Sequence, residues 1–373
     1  MSFTVFNVLI LIGCVQGFLL TFLLVRGVKF KRKSNAYLAL FIFSFSLNNL
    51  YYFAFDIGFF HRYPLTYFLP FTWGLLMPFA FYYFVEFLLT PDFKPSYKTT
   101  FWMVLPFGLH VVFQLASFIT YMVSLPFLGK HIGLYNSISH ITELFNMVFA
   151  FVVLVWVWMK IHRYQAKLKD NFSSIENRTV AWLRNLIVAL FFLWGLWCIP
   201  YVYEFFILRP TQASHYPLWI GMSIIIYWIG YSAYTRGEVF EVTHFVEPVK
   251  VEPRLSERTD EHYQKLIQTM KARKPYLNPE LNLETLAADV ELSAGYLSQI
   301  INKKEKVNFY DFVNRYRVEE AKKIIADPKF WHYSLLAIGQ EAGFNSKSTF
   351  NTAFKRYAGI TPSEYKKRQP IAD

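Results

Sequence analysis

The chain has 373 residues, 54% of them hydrophobic and 20% aromatic, with 40 Phe and a net charge of +12. That length allows two or more domains, and the apolar load is too great for an ordinary soluble protein. Two cysteines, Cys14 and Cys198, exclude a disulfide framework and any cysteine-rich metal site, and both fall inside apolar stretches as inert packing.

The apolar residues are confined to the first two thirds, in blocks long enough to cross a bilayer core of ~30 Å, which takes about 20 helical residues. Seven spans are predicted: 3–25, 37–55, 65–89, 101–121, 135–159, 180–208 and 217–234. The first lacks a preceding cationic stretch and is too long for a signal-peptide core, so it reads as a retained span. The loops after spans one, three and five hold 13 Lys/Arg, whereas those after spans two, four and six hold only Arg62, Lys130 and Arg209. Cytoplasmic loops carry the basic excess, which places the N-terminus outside and the end of span seven inside. Pro70, Pro78, Pro106 and Pro200 fall within spans, where they shape or kink a helix.

Polar residues recur on these spans at helical spacing. They are Asn49, Tyr52 and Asp56 on span two; His110, Gln114, Ser117 and Tyr121 on span four; Asn136, His140, Glu143 and Asn146 on span five; and Trp194, Trp197, Tyr201 and Glu204 on span six. Ionisable groups within a membrane are costly and normally face a bundle interior or a wet cavity. His110, Gln114, His140, Glu143, Trp197, Tyr201 and Glu204 are the candidate lining of an outward-facing small-molecule pocket. The alternative is that these groups only hold helices together. His61, His131 and His215 on the external loops suggest a pH- or metal-sensing variant of the pocket. Glu86, near the inner end of span three, is expected to pair with a cytoplasmic basic residue.

Residues 237–259 are polar and acidic, with Pro248 and Pro253, and read as a linker. A helix follows around 261–273, with Tyr263, Leu266, Ile267 and Met270 on one face. Then come two similar units. In the first, Asn282 caps a helix with Leu283, Leu286, Ala287 and Val290 inward, and Ser293 caps a second with Leu297, Ile300 and Ile301 inward. In the other, Ser334 caps a helix with Leu335, Ile338 and Ala342, the turn Gly343-Phe344-Asn345 follows, and Ser346 caps a helix with Phe350, Phe354 and Tyr357 inward. A helix over 309–326, capped by Asn308, joins them. Helix, tight turn, helix is the geometry that lets a second helix enter a major groove.

The stretches NLETLAADVELSAGYLSQIINK, NFYDFVNRYRVEEAKKII and LLAIGQEAGFNSKSTFNTAFKRYAGITPSEYKK carry a resemblance. Over Asp260–Arg368 the chain resembles the DNA-binding domain of the AraC/XylS transcription regulators. The resemblance implies two recognition helices reading adjacent major grooves at promoters. Gly339, where such domains usually have Ala, and Lys306, at a turn position often occupied by Gly, depart from the pattern. The faces not directed inward expose Ser298, Gln299 and Asn302 in the first unit, and Lys347, Ser348, Asn351, Thr352 and Lys355 in the second. Asn and Gln suit adenine, and Lys suits guanine or phosphate. Lys303, Lys304, Arg315, Arg317, Lys322, Arg356 and Lys366 are expected at phosphates or in solvated faces.

The predicted architecture is all-α: a seven-helix transmembrane bundle (1–236), a linker (237–259), a soluble double helix-turn-helix domain (260–368) and a tail (369–373). The expected function is a multi-pass regulator of the bacterial inner membrane, with its DNA-binding domain cytoplasmic. In one form the bundle senses an external ligand; in the other it only anchors or dimerises the DNA reader. Expected partners are double-stranded promoter DNA, the lipid bilayer and a small-molecule ligand, with RNA polymerase and a second copy of the chain as further candidates. No phosphate-binding loop, nucleophile elbow, H-E-x-x-H or C-x-x-C is present, so no catalytic residue, metal or cofactor is expected.

Overall fold

The computed structural model describes residues 4–26, 33–69, 73–90, 92–175, 181–207, 215–235 and 258–369, with the side chains of 68, 125–132, 202–207 and 233–235 outside that description. Among these residues the fold is all-α, and the only pairing of extended backbone is an isolated antiparallel bridge between Phe172 and Asn282. The chain divides into two compact units, one of residues 1–161 with 181–242 and the other of 162–180 with 243–373. The sequence reading had placed all of 1–236 in one domain. Residues 162–180, which include the last turns of the fifth long helix, group with the C-terminal unit instead. The linker 237–259 lies almost wholly outside the described residues, as do Pro70 and nearly all of the tail.

The first unit is built from α1 (Val5–Arg26), α2 (Lys33–Asp56), α3 (Leu76–Leu89), α4 (Tyr97–Val123), α5 (Leu125–Asn171, continuing past the unit's limit), α6 (Ala181–Ile207) and α7 (Tyr216–Thr235). Among the described residues five of these, α1, α2, α4, α5 and α6, are long and apolar enough to cross a membrane. The third predicted span is corrected. Instead of one helix over 65–89 there is a 3-10 turn at Pro64–Phe68 and then α3, whose 14 residues reach roughly 21 Å at 1.5 Å per residue. Pro64 opens the 3-10 turn, and α3 begins only after Gly74. Pro106 and Pro200 lie inside helices that continue past them.

Packing explains the abundance of aromatics. Tyr37 of α2 stacks on Tyr83 and Phe87 of α3, with ring centroids 5.2 and 5.4 Å apart. Each such pair adds about 0.5–1.5 kcal/mol beyond area burial. Glycines let α1 approach its neighbours closely: a Cβ on Gly17 would lie 1.9 Å from Ser46 Oγ, and one on Gly13 would lie 2.3 Å from Ser223 Oγ. The outer surface is apolar. Ile12, Leu19, Phe22, Leu109, Val148 and Phe192 are all more than half exposed, whereas Asn35, Asn49, Glu86 and Gln114 are buried. Glu86 pairs with Lys160 at 2.9 Å, the partner type expected from the sequence.

The second unit comprises α8 (Thr259–Ala272), α9 (Leu283–Asp289), α10 (Ala294–Glu305), α11 (Phe309–Ala326), α12 (Leu335–Glu341), α13 (Lys347–Ala358) and α14 (Pro362–Lys367). Each cap falls where the sequence placed it. Asn282 and Thr361 form capping boxes with Thr285 and Glu364, and Ser293, Asn308, Ser334 and Ser346 each accept a hydrogen bond from the third residue of the helix they open. Two cores result. Leu266, Met270, Leu286, Leu297, Ile301 and Phe312 fill one, and Val318, Ala321, Ile338, Phe344, Phe350 and Phe354 fill the other. The strut α11 contributes to both.

Both departures from the family pattern have a local cause or cost. A Cβ on Gly339 would meet Phe350 at 3.0 Å, so glycine there makes room for a ring in the second core. Lys306 ends α10 in the left-handed region with φ 57°. Lys306→Gly is therefore expected to raise the stability of this unit by about 1 kcal/mol, because a side chain at positive φ costs ~1–2 kcal/mol and glycine gives part of that back in unfolded-chain entropy. Denaturant unfolding reads this directly.

Candidate nucleic-acid interface and candidate ligand cavity

Because α9–α10 and α12–α13 bury one face each, the opposite faces of α10 and α13 are turned outward. Gln299, Asn302, Lys347, Ser348, Asn351, Thr352 and Lys355 are exposed, and Ser298 is half-buried with its hydroxyl accepting from Asn302 Nδ2 at 3.5 Å. All eight sequence candidates thus lie on the two outward helix faces. Of the basic residues expected at phosphates or in solvated faces, Lys303, Lys304 and Arg356 are exposed and Arg315, Lys322 and Lys366 half-buried, several of them in ion pairs. Arg315 pairs with Glu305 at 2.9 Å, Arg356 with Asp311 at 2.7 Å, Lys322 with Glu319 at 2.7 Å, and Lys304 with Asp260. Lys366 donates to the carbonyls of Trp331 and Tyr333 at 3.0 and 2.8 Å, tying α14 to the loop before α12.

Arg317 is the clearest correction. Its side chain is 1% exposed, far from any solvated face. Nε donates to Tyr276 O at 2.8 Å, Nη2 to Asn278 O at 2.9 Å, and Nη1 to Ser173 O at 2.9 Å, while Ser173 Oγ accepts from Nη2 at 3.0 Å. One guanidinium fork thereby joins the strut, the turn after α8 and the segment around Ser173. Ser173 is fully buried, and its N–H and Oγ–H both donate to Leu281 O, at 3.2 and 2.5 Å. Ser174 Oγ accepts from Asn345 Nδ2 at 2.9 Å, so the same segment reaches the turn of the second helix-turn-helix. Beside this hub Glu320 accepts from Lys274 at 2.6 Å and from the Tyr276 hydroxyl at 3.2 Å. Burial opposes its charge, but the hydrogen bonds from Lys274 and Lys323 outweigh that and hold the carboxyl below its usual range. Sequence reasoning missed Arg317, Ser173 and Asn345. An Arg at a helical position between apolar neighbours was the available signal; nothing local marks Ser173.

The first unit encloses a cavity of about 630 Å3. Of the candidate ligand residues, His110, Gln114, His140, Glu143, Trp197 and Tyr201 line it, whereas the side chain of Glu204 lies outside the described residues, like that of His131. Asn136, Asn146, Trp194, Tyr52 and His215 join them, together with Tyr51, Tyr67, Tyr135 and Trp219, which the stripes had not singled out. Trp197 Nε1 lies 3.4 Å from Glu143 Oε1, and the Tyr52 hydroxyl also hydrogen-bonds Glu143. Other stripe members hold helices together. Asn49 donates to Trp219 O at 3.2 Å and Ser223 Oγ at 3.1 Å, and Tyr216 donates to Asp56 at 2.8 Å, whereas Ser117 bonds only within its own helix, at Phe113 O. His61 is exposed, and His215 stacks on Trp219 with centroids 5.6 Å apart.

Comparison with known proteins bears on the second unit. A family model described as a helix-turn-helix domain matches residues 286–368, and this part of the chain is an AraC-type DNA-binding domain. The regulatory protein PocR of Salmonella typhimurium is 27% identical over 107 residues, 29% of this chain and 34% of the relative. The melibiose operon regulatory protein of Escherichia coli is 28% identical over 87 residues, 23% of this chain and 28% of the relative. The match thus spans about a third or less of these curated relatives. A Listeria innocua protein of solved structure, described as of unknown function, is 29% identical and is covered over 97% of its length, with a TM-score of 0.26.

Proposed function

We propose that this protein is a membrane-embedded one-component regulator in which a helical bundle senses a cue and an attached AraC-type domain reads promoter DNA. That the chain is a DNA-binding transcription regulator rests on the matched domain and its regulator relatives. The observation that carries the membrane reading is the inverted surface of the first unit. Large apolar side chains cover its outside, and Asn35, Asn49, Gln114, Asn146 and Glu86 are buried, whereas among the described residues of the second unit only Leu336 is a large exposed hydrophobic. DNA requires the second unit to be cytoplasmic, in agreement with the basic loops and an N-terminus outside.

The covalent route for a signal is α5, which bears Glu143 on the cavity and runs without interruption to Asn171, two residues before Ser173 in the Arg317 hub. A ligand shifts such a system only by binding one of its states better than the other. The tethering alternative draws on Asn49, Asp56 and Glu86, whose hydrogen bonds within the bundle are those of helix adhesion. Replacing the bundle by an unrelated membrane anchor while keeping residues 162–180 decides between them. Promoter occupancy with lost responsiveness supports sensing, and unchanged responsiveness supports the tether. Recovery of the intact chain from the soluble fraction would overturn both.

For the DNA interface, Gln299→Ala and Asn351→Ala are each expected to weaken operator binding by about 1–3 kcal/mol while leaving the salt dependence nearly unchanged. Lys347→Ala and Lys355→Ala should weaken all sequences alike and reduce the salt slope by roughly 1. Fluorescence anisotropy at several salt concentrations separates the two classes. Full affinity in all four variants would remove these faces from the interface.

A further inference from the structure

The lining of the cavity narrows what it can hold. Among its described residues Glu143 is the one carboxylate, and no Lys or Arg accompanies it. The groups that reach Glu143, Trp197 Nε1 and the Tyr52 hydroxyl, are uncharged donors. Such donors orient a carboxylate without bringing a positive charge beside it. Aromatic faces surround the same space: Tyr51, Tyr67, Trp194, Tyr201 and Trp219 line it with Tyr52 and Trp197. Phe41, Phe45, Leu190, Leu193 and Met222 make other parts of the lining apolar. The histidines of the lining sit in different settings. His110 lies 3.4 Å from Gln114, His215 stacks on Trp219, and His140, three residues before Glu143, is exposed.

One carboxylate within a ring of aromatic faces, in a space of about 630 Å3, is the chemistry that recognises an organic cation. We propose that the cavity binds an amine or quaternary ammonium compound with apolar substituents, its cationic head beside Glu143 and the aromatic rings and its substituents against the Phe and Leu side chains. An anion would meet Glu143 unscreened, and a neutral hydrocarbon would leave the carboxylate desolvated and unmatched. This assignment rests on the sensing reading only for its physiological meaning; the binding itself is tested separately.

The test uses the full chain in neutral maltoside micelles, which carry no cationic headgroup. Isothermal titration compares benzyltrimethylammonium with its uncharged isostere neopentylbenzene and with benzenesulfonate. The cation should bind saturably and at least about tenfold more tightly than either. Glu143→Gln should weaken it by about tenfold or more, and Trp197→Leu by roughly threefold to tenfold. Retained operator binding and a single elution peak show that each variant is folded, and Trp197→Leu serves if Glu143→Gln fails that check. Preference for the isostere or the sulfonate, or unchanged cation affinity in the folded variants, overturns the proposal. A promoter reporter separates the two readings. Cation binding with no change in output upholds the ligand class and sinks sensing, whereas a response to another cue with no cation binding does the reverse.

Discussion

Replacing Arg317 by Met should lower the stability of the C-terminal unit by about 3–5 kcal/mol, an effect large enough to leave much of it unfolded at growth temperature. Met roughly fills the volume but donates nothing. The carbonyls of Tyr276 and Ser173, buried against the guanidinium, and the partly buried carbonyl of Asn278 would each lose a charge-assisted hydrogen bond. A buried acceptor left unpaired costs about 1–3 kcal/mol, partly relieved where water enters. Arg317→Lys should recover only part of the loss, since one ammonium cannot reach donors on both sides of a planar fork. Native-state hydrogen exchange is the measurement, read at peptides from the turn after α8, from α11 and from the segment around Ser173. Protection should fall in all three together, because the same side chain holds them. Loss confined to α11 would show that the segment is not anchored through Arg317. Ser173→Ala removes one acceptor and one donor and leaves the fork's three carbonyls in place, so it should loosen the segment around Ser173 while sparing α11 and the turn after α8.

Gly343→Ala is expected to cost about 3 kcal/mol or more and to abolish operator binding at 37 °C. Gly343 sits in the turn of the second helix-turn-helix at φ 91°, where any side chain is strained. Its surroundings add to this. A Cβ would lie 2.3 Å from Tyr276 O and 2.9 Å from Leu277 Cα, both backbone atoms of the segment that Arg317 grips. Backbone fixed in that way cannot move aside, so the turn must. Gly359 provides the control. It has φ 77° but nothing within 4 Å of a Cβ, and Gly359→Ala should cost only about 1 kcal/mol. Thermal unfolding of the two variants, measured side by side, separates conformational strain from collision. Equal losses would show that the contact with Tyr276 is soft.

Much of the second unit was legible because its signals are local. A cap such as Asn282 or Ser346 acts within three residues, and the inward stripe Phe350, Phe354, Tyr357 follows from the helical period. The ends of α11 at Phe309 and Ala326 coincide with the sequence reading for that reason. The first unit was less legible. Apolar character marks a span but does not say where a helix starts, so a continuous apolar run at 65–89 concealed the break before Leu76. The converse held for α5. Its apolar run stops at Met159, yet the helix persists to Asn171, with Tyr164 and Leu168 buried along the polar extension.

What the sequence determined by itself was the all-α class, the division between an apolar part and a DNA-reading part, and the two outward faces of α10 and α13. Each follows from composition or from periodicity over a few turns. Only the tertiary structure decided which polar groups share a cavity and which bind helices together, and that a basic residue read as surface is the buried centre of the C-terminal unit. Those outcomes depend on which distant segments meet: Ser173 and Arg317 are 144 positions apart, and Glu143 and Trp197 are 54 apart. Periodicity assigns a side chain to a face, but which chain segment that face meets is settled only when the helices pack.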